Sequence, residues 1–500
     1  MIYYISQYVF TLRPNDDAWY NFPMSNTYFV TVGLEIHAEL HTNSKMWCGC
    51  KNDPREQKPN HNICEVCMAH PGTLPVPNKD AIKKVIKVGL AVGADIANFT
   101  EFDRKNYFYP DIPKGYQLSQ YLLPIVSHGS VNNWPLTRIH LEEDTAKSSH
   151  DNDGYTLVDY NRAGVPLMEL VTDPVTFDSP EEASEKSGQF AKELQRILRY
   201  VGASEANMEM GQMRVEANVS VSTDKKVYGT KCEVKNINSF RSVEEAIKYE
   251  VARHIELIEE GGKVIQETRG WDENKMETFS QRKKENAHDY RYFPDPDLPK
   301  LYLSELFSLD DLKKEVPELP KARRERLSLL GLKNDVIEII VDNPAIAIYF
   351  DKVCENQTTQ FVALCANYLT ADIFGLLKKD GKELTEENLP TFFALQTVID
   401  MITKNELSSR GAKDLLPLMI ADKNLDVRKT AEEKGFIQKN DPELLKKIVE
   451  EVIAENPVQV IDYKNGKESM FMFFVGQCMK KSKGAGNPGV FQQLLKDSLE

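Results

Sequence analysis

The chain has 500 residues, 41% hydrophobic and 28% charged, with a net charge of −14 and a pI near 5.3. This is the composition of an ordinary globular protein of about three domains; it argues against a dedicated nucleic-acid coat but leaves local basic surfaces open. No apolar run approaches the ~18 residues of a membrane span, and eight cysteines are too few for a disulfide scaffold.

Residues 1–23 match neither a secretory signal nor an Arg-rich transit peptide. An upstream extension, or a start codon placed too early, is the preferred reading, with a short ordered appendage as the alternative. Tyr28 to Leu40 is the first convincing strand. Within GLEIHAEL (33–40), Glu35, His37 and Glu39 share one face, and Leu34, Ile36, Ala38 and Leu40 share the other. A solvated face and a face aimed at a cation both fit this stretch alone.

Next come Cys48, Cys50, Cys64 and Cys67, as C-x-C, thirteen residues, then C-x-x-C. The spacing can close a tetrahedral thiolate site, usually occupied by zinc; simple reduced thiols are the alternative. Four thiolates leave no open position, so the expected role is structural. The intervening KNDPREQKPNHNI is too polar to fold alone and predicts a metal that holds it. His61 or His70 as a substitute ligand ranks below this.

TRIHLEED (137–144) and TLVDYNRAG (156–164) read as two strands around an Asp-Asn-Asp-Gly turn. A helix then begins at Asp178 or Ser179, with Pro180 in its first position. MRVEANVSVS (213–222) and TKCEVKNI (230–237) form another strand pair. Ser242 with Glu245 predicts a capping box for a helix ending at Gly261-Gly262. YRYFPDPDLP (290–299) predicts an extended linker and a domain boundary, because proline interrupts regular elements. Beyond it, amphipathic helices follow one another, read as a middle unit (300–405) and a tail (406–500). Residues 401–500 carry 16 Lys+Arg against 15 Asp+Glu, whereas the other 400 carry 46 against 61. That shift fits a surface reserved for a polyanion and equally an average surface.

The carboxylates are the main chemical signal. Glu142, Glu143 and Asp144 stand beside His140, and Glu169, Glu216 and Glu233 follow, each in a predicted strand. Lys147, Arg162, Arg214, Lys231 and Lys235 are interspersed. Converging in one sheet, such residues would line a pocket of hard oxygen ligands for Mg²⁺ and phosphates, with cations to neutralise a transferring phosphoryl group. Two nucleotide motifs fail. GAGNPG (484–489) follows a helix rather than a strand and reads as an interhelical turn capped by Asn487, with Pro488 opening the next helix. No G-x-x-x-x-G-K-[ST] occurs, so any bound ATP would not use a P-loop.

GLEIHAEL, FDRKNYFYPDIPKGYQLSQ (102–120), RIHLEEDTAKSSH (138–150), VDYNRAGVPLMEL (158–170), RVEANVS, KNINSF (235–240), DYRYFPDPDLP and GQCMKKSKGAGNP occur in order from about residue 28 onward. Together they resemble the GatB family, the B subunits of the bacterial tRNA-dependent aspartyl/glutamyl amidotransferases. The resemblance implies an α+β fold. A cradle domain (24–299), built on an antiparallel sheet with flanking helices, would precede an all-helical domain (300–405) and a helical, YqeY-like tail (406–500) that embraces tRNA. It implies ATP- and Mg²⁺-dependent phosphorylation of the side-chain carboxylate of Glu-tRNA(Gln) or Asp-tRNA(Asn). Ammonia released from glutamine by the partner glutamine amidase (the A subunit) would then attack. A small C subunit would hold the other two together in this heterotrimer of the bacterial cytoplasm. No membrane or DNA partner is implied.

His37, Glu143 and Glu169 match the family's metal-binding positions. Glu35, Glu142, Glu216, Glu233, Lys147, Arg162 and Lys235 are assigned to the catalytic pocket, and Lys105, Asn106 and Arg291 to the nucleotide. Glu216 stands where relatives often have Asp. Glu39 is expected at the surface. Alternation puts Glu143 on the face of Ile139 and Leu141, so it reaches the pocket only if that face is the floor or the strand bulges. Many relatives lack the four cysteines, which supports zinc as a local staple. Lys480, Lys481 and Lys483 are expected on tRNA phosphate. A non-catalytic tRNA-binding scaffold is the rival class, and a free-standing metallohydrolase the third.

Overall fold

The computed structural model describes residues 27–150, 154–283, 290–438, 442–482 and 486–499. The upstream segment 1–23 and Lys483 therefore lie outside the described residues. The chain divides into two compact units, Met1–Leu319 and Pro320–Glu500.

The first unit is built on one large sheet. Its principal strands are β1 (Phe29–Glu39), then, after a small ribbon of β2 (Asp103–Asn106) and β3 (Tyr116–Ser119), β4 (Trp134–Glu143). A separate hairpin, β5 (Lys147–His150) and β6 (Thr156–Asp159), precedes β7 (Pro166–Thr172), β8 (Met213–Ser222) and β9 (Cys232–Ile237). β10 (Glu267–Asp272) and β11 (Glu277–Lys283) complete one end. The order is β11-β10-β9-β8-β1-β7-β4, and two short strands extend it beyond β4. Neighbours pair antiparallel except β9 and β10, which are parallel, so the sheet is mixed rather than purely antiparallel. The fold class is α+β as expected.

Alternation in β1 fixes which face enters the core. Leu34, Ile36, Ala38 and Leu40 are all buried. After α1 (Lys79–Ala91), two further helices cover this apolar face, α2 (Pro180–Tyr200) through Phe190, Leu194 and Leu198, and α3 (Phe240–Glu259) through Val243, Ile247 and Val251. Each fully buried aliphatic side chain is worth roughly 1.5–3 kcal/mol. A one-residue slip of β1 would turn that whole set outward, so the register is strongly specified. The opposite face is left to polar residues.

Several local expectations change. The Asp-Asn-Asp-Gly stretch falls between β5 and β6, which pair with each other, whereas 137–143 belong to β4, which pairs with β7. Residues 151–153 of that stretch lie outside the described residues. Ser179 caps α2 by accepting from the Glu182 amide, with Pro180 first, as read. α3 starts earlier than predicted: Ser239, not Ser242, is its cap, and its Oγ accepts from the Ser242 amide at 3.0 Å. The supposed linker at 290–299 is part of the first unit. Phe293–Pro294 forms β12 against β2, and Arg104 binds Asp295 at 2.6 Å and Asp297 at 3.0 Å. Leu301, Leu303 and Leu312 join the same core, so the boundary falls near Leu319 rather than at 299.

At the β9–β11 end lies a charge network around the fully buried Glu250 and His254. Glu250 accepts from Arg253 at 2.7–3.2 Å and from the Thr278 hydroxyl; Arg269 stands 3.1 Å away and His254 3.3 Å. Burial works to raise this carboxyl, but His254, Arg253 and Thr278 hold it down at about 2.

The elements of the second unit's described residues are helices, apart from one isolated bridge between Leu407 and Ile437. Helices Phe392–Thr403, Ser409–Ala421 and Val427–Glu433 pack together. A separate core of Leu445, Val449, Val452, Phe474, Cys478, Phe491 and Leu495 closes the tail. Asn487 caps the helix Pro488–Leu499, its side chain accepting from Gly489 N at 2.8 Å, as the sequence predicts. Thr359–Lys379 is long and apolar enough to cross a membrane, against the expectation that nothing is, but half of its most apolar window is buried within the unit.

Candidate active site and thiolate cluster

The polar face of the sheet carries the site. Register aligns Arg214, His37, Glu169 and His140 in one row across β8, β1, β7 and β4. The adjacent row holds Glu216, Glu35, Val171 and Arg138. His37 Nε2 stands 3.4 Å from Glu169, 3.5 Å from Glu142 and 3.9 Å from Glu35. His140 Nε2 is 3.4 Å from Glu169. Lys235 binds Glu216 at 2.5 Å and stands 3.6 Å from Glu233. Three overlapping sets of potential ligand atoms result: Glu35–His37–Glu169, His140–Glu142–Glu169 and Glu35–Glu216–Glu233.

The electrostatics show surplus negative charge. Burial, then repulsion from Glu169 and Glu216, raises the Glu35 carboxyl to about 7. Burial opposes charge on His37, yet contact with Glu169 and the charge of Glu142 lift it to about 9. Glu169 is held well below the usual carboxylate range because His140 and His37 outweigh its burial. Such a pocket retains protons where a divalent cation would otherwise balance the carboxylates. Hard oxygen donors in this number suit Mg²⁺.

Glu143 is not part of this face. The β4–β7 register runs unbroken from Glu143↔Pro166 to Arg138↔Val171, and the irregularity comes only after Val171. With no bulge beside it, Glu143 projects to the other side, where Lys114 binds it at 2.7 Å and the Leu118 amide donates to it at 3.0 Å. Glu142 takes the place expected of Glu143. Glu39 is also corrected. It is half-buried rather than exposed; burial, then Asp144, raises its carboxyl to about 7, with Arg214 opposing.

The basic residues divide. Lys105 lies near the cluster; burial opposes its charge, but Glu142 and Glu169 hold its ammonium protonated well above the usual range. Arg162 donates to the carbonyls of Thr145 and Ala146 and stands 3.6 Å from Asp144, so it braces that loop rather than the pocket. Arg214 binds Asp144 at 2.6 Å. Lys147 is exposed in the outlying β5–β6 hairpin, away from the strands that carry the carboxylates. Asn106 spends its amide on the carbonyls of Tyr290 and Arg291, at 3.0 and 2.9 Å. It thereby fixes the wall of an open cavity of about 420 Å³ lined by Asp103, Tyr121, Tyr290, Arg291, Tyr292 and Phe293. Tyr121 and Tyr292 stack there at 4.5 Å, and Lys105 lies 5.2 Å over the Tyr290 ring.

Cys48, Cys50, Cys64 and Cys67 converge, with all four sulfurs within 4.8 Å of one another. Contact with Cys48 and the charge of Lys45 bring the Cys67 thiol down to about 5 against its burial, and the same contact raises Cys48. The Cys64 amide donates to Cys67 Sγ at 3.1 Å. Tetrahedral thiolate donors fit zinc. The polar segment between the pairs has protein anchors as well. Buried Asn161 accepts from the His61 and Asn62 amides at 2.8 Å each, and Asp159 accepts from the Asn60 amide. Cys48, Cys67, His70, Lys114, Glu143 and Asp297 line a second cavity of about 240 Å³.

Residues 30–308 match the GatB/GatE catalytic domain. The chain belongs to the GatB/GatE family. A second match, to the GatB domain, spans residues 348–499 and so begins within the segment read as the middle unit. Similar proteins include the aspartyl/glutamyl-tRNA(Asn/Gln) amidotransferase B subunits of Carboxydothermus hydrogenoformans and Thermoanaerobacter sp. strain X514. They are 40% and 43% identical, each over 486 residues, covering 94% of this chain and 99% of the relative. The corresponding protein of Crocosphaera subtropica is 40% identical over 499 residues, covering 95% and 99%.

In this GatB/GatE chain two residues of the polar face, Arg138 and His140, and one at the thiolate cluster, Lys45, have no role assigned by the sequence reading. Arg138 and His140 share the parity of Glu142 in RIHLEE, so applying the alternation consistently would have found them. Lys45 carried no such signal, because nothing local marks a lysine for burial.

Proposed function

We propose that this chain is the B subunit of a glutamine-dependent aminoacyl-tRNA amidotransferase in the bacterial cytoplasm. It activates the side-chain carboxylate of Glu-tRNA(Gln), Asp-tRNA(Asn) or both by phosphorylation from ATP. Ammonia from glutamine, released by the A subunit, then displaces the phosphate, and the C subunit joins the two. The observation that carries this reading is the cluster of Glu35, Glu142 and Glu169 around His37, their carboxylate oxygens 3.4–3.9 Å from its Nε2.

A carboxylate is a poor acylating agent because oxide does not leave, whereas phosphate does. A bound Mg²⁺ supplies the charge that lets two anions, substrate carboxylate and γ-phosphate, approach. His37, Glu142 and Glu169 are the residues to hold it, with Glu35, Glu216 and Glu233 completing the pocket. Lys235 and Lys105 screen phosphate oxygens from either side. Arg291 and the stacked tyrosines offer a face for the nucleotide base, and Asn106 keeps that wall in place. Asp144, Arg214 and Arg162 brace the loop after β4. The four cysteines hold a structural zinc, which has no open position for chemistry. The tail beyond 406 binds the tRNA body. Lys480 is exposed for phosphate contact, whereas Lys481 is engaged by Glu451 at 2.9 Å and Glu455 at 2.5 Å.

The test is ATP hydrolysis by the assembled heterotrimer with Mg²⁺, with and without misacylated tRNA. Strong stimulation by Glu-tRNA(Gln) or Asp-tRNA(Asn), and amide formation that requires both ATP and glutamine, is the expected result. Tight tRNA binding with no stimulated hydrolysis would make the chain a scaffold and overturn the reading.

A further inference from the structure

Lys45 has no solvent exposure at all. An ammonium removed from water is costly unless an anion faces it. Its Nζ donates to the Tyr160 carbonyl at 3.0 Å, and among the described residues no carboxylate lies within ion-pair distance of it. The other polar atom within reach is Cys67 Sγ, at 4.0 Å, a sulfur that carries negative charge when it ligates a metal. The backbone fixes this arrangement from both sides. The Lys45 amide donates to the Cys50 carbonyl at 2.9 Å, and the Met46 amide to Gly164 at 2.7 Å. Gly164, with φ +82°, lets the chain pass against the Lys45 stem and Cys67 Cβ.

Four thiolates around a divalent ion leave a net charge of −2 in a partly buried place. We propose that Lys45 is the built-in counter-ion of the four-thiolate site. Its ammonium balances part of that charge, and the bound metal in turn makes burial of the ammonium tolerable. The inference rests on reading Cys48, Cys50, Cys64 and Cys67 as a zinc site. It adds that zinc affinity and the position of Lys45 are thermodynamically coupled. Through the Tyr160 carbonyl the lysine also ties the thiolate loop to the 160–165 segment that leads into β7, the strand bearing Glu169.

The experiment uses the full-length chain, wild type and Lys45→Met, each zinc-loaded and metal-free. Chelator competition at fixed pH should show zinc held on the order of 10- to 100-fold less tightly by Lys45→Met. The melting temperature should fall more in the zinc-loaded state than in the metal-free one. A lysine that only fills space would lower both equally, and that outcome overturns the proposal. Wild-type protein that binds zinc, with affinity unchanged in Lys45→Met, overturns it alone. Wild-type protein that takes up no zinc overturns the site and the counter-ion together. Should Lys45→Met fail to fold, Cys67→Ser supplies a second comparison. Without the thiolate the ammonium is unpaired, so Cys67→Ser with Lys45→Met should melt above Cys67→Ser alone; a lower melting point refutes the pairing.

Discussion

Glu142→Gln and Glu143→Gln separate the two faces of β4. Each removes one negative charge and keeps the side-chain shape. Glu142 stands 3.5 Å from His37 Nε2 in the pocket. A unit charge acting on another about 4 Å away is worth roughly 4 kcal/mol at an effective dielectric of 20. If that interaction strengthens in the transition state, its loss slows activation about a thousandfold. The fold should tolerate the change, since among the described residues no lysine or arginine is bound to Glu142; its contacts are His37 Nε2 and the Ser119 hydroxyl at 3.3 Å, which an amide can keep. Glu143 differs, for its oxygen is bound to Lys114 at 2.7 Å and both side chains are largely buried. Removing one partner of such a pair typically costs about 3–5 kcal/mol, because the other charge is left unpaired. Thermal melting should therefore fall by several degrees in Glu143→Gln and little in Glu142→Gln. Single-turnover formation of amidated tRNA by the complex, measured well below the melting point, should show the reverse order of damage. Near-normal turnover by Glu142→Gln with loss in a well-folded Glu143→Gln would refute the strand-face assignment.

The buried Glu250 network predicts an acid limit to stability. Its folded pKa of about 2 lies below the ordinary value of 4.5, so its contribution is present above that value and is lost as pH falls toward 2. The shift corresponds to about 3 kcal/mol, which denaturant melts between pH 5 and 2 would detect as a steeper loss in wild type than in Glu250→Gln. Cys64→Ser should loosen residues 47–70 in hydrogen exchange and leave the sheet protected; metal analysis without zinc in protein purified free of chelator would refute the staple. Lys480→Glu should weaken binding of aminoacyl-tRNA and reduce the salt slope by about one, with tRNA-independent glutamine hydrolysis unchanged; an unaltered slope would count against tail contact.

The period of two in GLEIHAEL and RIHLEE was enough to fix face and register locally, because side chains alternate across a strand whatever lies next to it. That parity already assigned Glu35 and His37 to one side and Glu143 to the side away from His140 and Glu142. The family's metal positions pointed to Glu143, whereas the unbroken register puts Glu142, not Glu143, on the face of His37 and Glu169. The cysteine spacing was equally legible, since two short-range pairs need only one loop closure to meet. Other features depended on pairing partners that sequence distance conceals. β4 joins β7 across an intervening hairpin, and the proline-rich 290–299 segment adds a short strand to β2. Proline forbids a central ladder position but not an edge, so local rules could not distinguish linker from edge strand. Glu39, read as surface, is half-buried and feels the charges of Asp144 and Arg214, which the fold brings in from the end of β4 and from β8. Lys45 is the extreme case. A lysine is exposed by default, and only the tertiary structure brings the Tyr160 carbonyl to 3.0 Å and Cys67 Sγ to 4.0 Å from its ammonium.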